Sequence, residues 1–68
     1  MTDRFLLEMY LRKAGFTQES ISKAMGITSV SFRRKLKNIT EFKQSEIAFL
    51  SDHLNLTLEE REKIFFQR

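Results

Sequence analysis

The chain contains no cysteine, no proline and no tryptophan, and only two glycines. The missing cysteines exclude disulfide staples and a thiolate zinc site. The missing prolines mean that no position interrupts a helix by losing its backbone donor. Long apolar runs are also absent: Asp3, Arg4 and Glu8 break up the start of the chain, and no stretch approaches the ~20 apolar residues that a membrane span needs. No signal-peptide pattern is visible, so the expectation is a soluble cytoplasmic protein without a membrane partner.

What is present is apolar and aromatic. Of 68 residues, 41% are hydrophobic, and seven are Phe. That length allows one domain, 1–68, near the lower limit at which a chain folds without staples. Stability must then come from apolar burial, with help from a partner subunit where one exists.

The net charge of +3 says less than its distribution. Residues 1–32 carry four basic and three acidic side chains, residues 44–68 three basic and five acidic. Residues 33–43 between them hold five basic side chains (Arg33, Arg34, Lys35, Lys37, Lys43) against Glu41 alone. On charge alone this segment fits a solvated helix face as well as an anion-binding patch.

Capping residues and apolar spacing divide the chain into five helices. Thr2 or Asp3 caps a first helix to about Ala14, with Leu7, Tyr10, Leu11 and Ala14 on one side and Gly15 as the left-handed terminator. Thr17 opens a second, with Ile21, Ala24 and Met25 before Gly26. Thr28 caps a third, to about Lys37 or Asn38, anchored by Phe32 and Leu36. A connection holding Ile39 and Phe42 leads to a fourth helix, about 44–54, with Ile47, Leu50 and Leu54 facing inward. Thr57 and Glu60 form a capping-box pattern for the last helix, which ends in Ile64, Phe65 and Phe66. The predicted class is all-α, a compact five-helix domain around one core.

The segment that carries a functional signal is 17–38. Two short helices joined by Met25, Gly26 and Ile27 have too few linking residues to lie antiparallel and must cross steeply, a helix-turn-helix. Ile21, Met25, Ile27, Phe32 and Leu36 fill the angle between them. On a wheel of about 100° per residue, with Phe32 central on the buried side, Val30, Arg34 and Lys37 fall opposite, flanked by Arg33 and Ser31. A helix of this kind fits the major groove, where a guanidinium can bond guanine and a small apolar group can touch the thymine methyl. Arg34 and Val30 are assigned those two tasks. Ser29 and Ser31 can reach a base edge or a phosphate, and Gln18, heading the second helix, suits a phosphate oxygen. Arg33, Lys37 and Asn38 are expected on the DNA backbone, with Thr28 at the start of the same surface.

Thr17-Gln18, the small residue Ser22, the run Met25-Gly26-Ile27-Thr28 and the fourth-helix pattern resemble the phage Cro and lambda-repressor-like helix-turn-helix family, including its small phage repressor-type proteins. The similarity covers nearly the whole chain. It implies a five-helix fold with the second and third helices as reader, Gln18 on phosphate, and Ser29, Val30 and Arg34 on bases. It further implies a repressor in a bacterial host cell that occupies operator DNA. Two positions depart from the family pattern. Lys35 stands where an aliphatic residue is common, with Leu36 taking over the packing, and Ser22 replaces the usual alanine at the helix crossing.

No catalytic pairing, metal spacing, cofactor motif or small-molecule site is legible. His53 is the only histidine and is expected to be solvated or partly packed. Glu59, Glu60 and Glu62 sit where a helix dipole favours carboxylates. Phe5 and Met9 fall off the main stripe of the first helix, Phe49 lies off the core side of the fourth, and adjacent Phe65 and Phe66 cannot face one core equally. Phe49, Phe65 and Phe66 are therefore candidates for a dimer interface, which would set two reading helices on a near-palindromic operator. The alternative is a protein-interaction module, antirepressor or antitoxin-like, which uses these surplus Phe residues to bind another regulator.

Overall fold

A computed structural model describes residues 1–66; the last two residues of the expected 1–68 domain lie outside the described residues. Five helices follow in order: α1 Arg4–Lys13, α2 Gln18–Met25, α3 Ser29–Leu36, α4 Gln44–His53 and α5 Leu58–Phe65. No strand occurs among the described residues, and no helix there is long and apolar enough to cross a membrane.

Local chemistry sets both ends of each helix. Side-chain oxygens of Asp3, Thr17, Thr28 and Thr57 accept hydrogen bonds from the free N–H groups of the first turns of α1, α2, α3 and α5. Glu60 completes the expected box at Thr57, and Ser20 forms a second box with Thr17. At the start of α4 the cap residue is Lys43, whose side chain cannot accept; instead Glu46 Oε1 accepts from the Lys43 N–H at 2.8 Å. The first four helices close alike. A left-handed residue (Gly15, Gly26, Asn38 or Asn55) lets the next N–H return to a carbonyl one turn back: Phe16 to Leu11, Ile27 to Ser22, Ile39 to Arg34 and Leu56 to Ser51. Asn serves at two of these sites because its short polar side chain tolerates positive φ.

The helices enclose one core of Leu7, Leu11, Ile21, Phe32, Leu36, Phe42, Ile47, Leu50, Leu54, Ile64 and Phe65. α2 packs on α3, while α5 packs on both α1 and α4. The result measures 27 × 25 × 21 Å. Phe42, from the α3–α4 connection, lies edge-on to Phe32 at 5.7 Å and to Phe65 at 5.6 Å. This aromatic chain ties α3 to α5 across the connection, and each such pair adds about 0.5–1.5 kcal/mol beyond its buried area.

Several expectations need correction. Phe65 is 4% exposed and belongs to the core, so it is not available as a dimer contact; Phe66 is the outward member of the pair. Phe49 is half-buried and stacks on His53, with ring centroids 3.8 Å apart. Ala14 and Ala24 are exposed. Tyr10 is half-buried because its hydroxyl, directed to Glu60 Oε2 at 2.6 Å, must meet a polar partner at the α1–α5 contact. Met25 and Ile27 pack only partly against the core. α3 stops at Leu36, short of the expected Lys37 or Asn38, because Asn38 turns left-handed.

Candidate nucleic-acid interface

α2 and α3 are joined by three residues, Gly26, Ile27 and Thr28. Gly26 has φ +76°, and a Cβ there would meet nothing within 4 Å. Its requirement is therefore conformational alone. Ser22 of α2 is buried, and its hydroxyl donates to the Gln18 carbonyl. A serine is accommodated at this buried position because its polar hydrogen is satisfied within its own helix.

α3 is held by its inner side. Phe32 and Leu36 are both fully buried, while Val30, one of the opposite residues, is 61% exposed. Arg33, Arg34 and Lys37 are exposed with it, and no carboxylate pairs with any of the three among the described residues. Ser29 and Ser31 are half-buried at the edges of this face. Thr28 is exposed and its Oγ1 accepts from the Ser31 N–H at 3.1 Å, which leaves the hydroxyl proton free to donate.

Lys35 does not belong to the cationic face. It is 8% exposed, and its Nζ donates to the Glu41 carbonyl at 3.3 Å and pairs with Glu46 Oε1 at 3.2 Å. The signal was available in the sequence, since position 35 lies roughly 60° from Phe32 on the helical wheel. What the wheel cannot provide is the partner, which arrives from α4. Five basic residues over 33–43 thus reduce to four outward ones, with Lys35 holding α3 to α4.

Asn38 is exposed, but its amide is engaged within the chain. Its Oδ1 accepts from the Thr2 N–H at 2.8 Å and its Nδ2 donates to the Thr2 carbonyl at 3.0 Å. The side chain expected to reach DNA phosphate instead holds another stretch of backbone. Gln18 is half-buried, with Nε2 3.4 Å from Glu8 Oε1, and the neighbouring Glu19 places a carboxylate in the first turn of α2. A phosphate at this helix start would have to draw Gln18 from Glu8 and tolerate Glu19.

Other polar groups have structural partners. Thr57 N–H and the Tyr10 hydroxyl hydrogen-bond the Glu60 carboxylate and hold it below the ordinary carboxylate range. The same contact with Glu60 raises the Tyr10 phenol above its ordinary value. His53 Nδ1 lies 3.0 Å from the Phe49 carbonyl, one turn back in α4. Among the described residues, no group of three His, Cys, Asp or Glu side chains could hold a metal ion.

No family model matches this chain, and neither a curated protein nor a solved structure matches it.

Proposed function

We propose that the chain is a sequence-specific DNA-binding regulator that inserts α3 into the major groove through a helix-turn-helix formed with α2. The observation that carries this reading is the two-sidedness of α3. Phe32 and Leu36 are fully buried, while Val30, Arg33, Arg34 and Lys37 stand exposed on the other side. Three cations with no carboxylate partner among the described residues, set around one exposed aliphatic side chain, fit a surface that must meet both phosphates and the thymine methyl. Arg34 and Val30 read bases, Ser29 and Ser31 work at the edge of the face, and Arg33, Lys37, Thr28 and Gln18 contact backbone. The cellular role that fits is repression by occupying an operator, as the resemblance to Cro-like proteins implies, with no catalytic step.

A homodimer on a near-palindromic site would set two α3 helices about 34 Å apart. With Phe65 in the core, Phe66 and the rim of Phe49 are what remain of the expected α4–α5 interface. Selection of bound duplexes from a randomised pool, followed by fluorescence-anisotropy titration, tests the reading. An enriched inverted repeat bound at least roughly 10³-fold above random duplex is expected. Arg33 and Lys37, the two cations placed on phosphate, would give a slope of log affinity on log salt of about −2 per protomer. Arg34→Ala should cost about 1–3 kcal/mol and relax one base pair, whereas Lys37→Ala should weaken all duplexes alike and reduce the slope by about one. Equal, sequence-independent losses from both would remove Arg34 from base reading.

One observation favours the interaction-module reading: Phe5 and Leu58 stand about four-fifths exposed, apolar surface that the DNA-binding reading does not use. Capture of a protein partner that is lost on substitution of Phe49, together with no duplex binding at low salt, would decide in its favour.

A further inference from the structure

The segment 1–3 runs across the end of the reading helix and is fastened at two points. Asn38, two residues beyond α3, accepts from the Thr2 N–H at 2.8 Å and donates to the Thr2 carbonyl at 3.0 Å. The next residue, Asp3, donates its N–H to the Ile64 carbonyl of α5 at 2.7 Å. Thr2 itself is buried, at 8% exposure. An asparagine amide that donates and accepts with a single residue's backbone reproduces the pairing of adjacent β-strands, which fixes position along the strand as well as distance.

Asn38 also shapes the helix end. Its φ of +61° turns the chain so that the Ile39 N–H closes on the Arg34 carbonyl at 3.0 Å. One residue thus terminates α3 and fastens that terminus, through Thr2 and Asp3, to α5. On its other side the same turn is held by Lys35, through Glu46 and the Glu41 carbonyl. α3 is only eight residues long, with its two fully buried anchors one turn apart. Arg34 lies between those anchors, and its own carbonyl accepts the Ile39 N–H that closes the Asn38 turn, so a displacement of that turn acts on Arg34 directly.

We infer that Asn38 is a positioning residue for the DNA interface: by clamping Thr2 it fixes the last turn of α3 and hence the aim of Arg34. This rests on the proposed DNA-binding role, and it replaces the direct phosphate contact expected of Asn38 from sequence. The clamp acts through geometry, so its loss changes where Arg34 reads more than it changes overall attraction for DNA.

Asn38→Gly is the informative variant, because glycine keeps the positive φ and removes only the amide. The full chain is used throughout, with amide exchange followed by NMR and base preference obtained by selection from a randomised duplex pool. The expected result is a cooperatively folded variant in which the Asp3 amide exchanges at least about tenfold faster. Affinity for the wild-type selected duplex should fall about tenfold, the worth of one misaligned base contact. The lost preference should be confined to the base step that Arg34→Ala also relaxes, with the salt slope unchanged. A general loss of folded protein would instead lower binding to every sequence alike. Asn38→Asp, which keeps an acceptor for the Thr2 N–H but sets a carboxylate oxygen against the Thr2 carbonyl, should share the defect. If wild type selects an operator and Asn38→Gly keeps the same preference at every position, the inference fails and the DNA-binding reading stands. An unaltered Asp3 amide in Asn38→Gly would also overturn it. If wild type selects no sequence at all, both fail together.

Discussion

Lys35 and Glu46 form an ion pair with little access to water, and its energetics can be worked from the surroundings of each charge. The two side chains are 9% and 14% exposed, with Nζ and Oε1 3.2 Å apart. Removing one partner of a fully buried pair costs about 3–5 kcal/mol, mostly because the other charge is left uncompensated. Here each charge retains a second partner. After Glu46→Gln, Lys35 still has the Glu41 carbonyl, so a loss of about 1–2 kcal/mol is expected. After Lys35→Met, Glu46 still accepts from the Lys43 N–H at the positive end of α4. That loss should be about 0.5–1 kcal/mol, because the helix terminus favours a carboxylate. The double variant leaves no charge uncompensated and should return to within about 0.5 kcal/mol of wild type. The coupling energy is then about 1–3 kcal/mol. Urea unfolding followed by circular dichroism measures all four corners of the cycle, with an unchanged m-value as the condition for comparing them. In a domain this small each kcal/mol moves Tm by about 4–8 °C, so the Glu46→Gln defect should be plain in a thermal melt. A coupling below about 0.3 kcal/mol, or a Lys35→Met defect larger than that of Glu46→Gln, would refute the reasoning.

Stability should also depend on pH through the Tyr10–Glu60 contact. Glu60 is held below its ordinary value, chiefly by the Thr57 N–H and then by the Tyr10 hydroxyl, so its contribution is present above the ordinary carboxylate range and disappears as pH falls through the lowered value. Tyr10 is raised, chiefly by its bond to Glu60, so its contribution holds below the ordinary phenol range and disappears as pH rises through the raised value. Tm against pH should show both arms in wild type, and Tyr10→Phe should remove the alkaline arm and weaken the acid one. Phe65→Ala should cost about 3–5 kcal/mol and Phe66→Ala less than about 1, since only the former opens a core cavity; equal losses in denaturant titration would contradict the placement of the two rings. Gly26→Ala should cost about 1–2 kcal/mol from backbone strain alone, and Gly26→Asn clearly less, as the Asn38 and Asn55 turns suggest; melting the two variants side by side decides this.

Helix number and boundaries were legible in the sequence because their causes are local. An oxygen at Asp3, Thr17, Thr28 or Thr57 needs only the next turn of its own chain as partner, and Gly15 and Gly26 reverse the backbone without help from elsewhere. The two-sidedness of α3 was legible for the same reason, since Phe32 and Leu36 are one turn apart and the cations stand opposite. Asn38 and Asn55 were missed as terminators because asparagine signals a left-handed turn less strongly than glycine does. The remaining points required partners distant in sequence. Adjacent Phe65 and Phe66 differ by one step around α5, and it is the approach of Phe42 that brings Phe65 inside. A lysine on an inner face reads as surface charge until Glu46 is brought beside it from another helix. Asn38 reads as a phosphate donor until Thr2, distant in sequence, lies against its amide. Capping and periodicity determined the five helices and the outward face of α3; the tertiary structure decided which polar side chains hold that helix, because the role of a polar group is set by the partner that satisfies it.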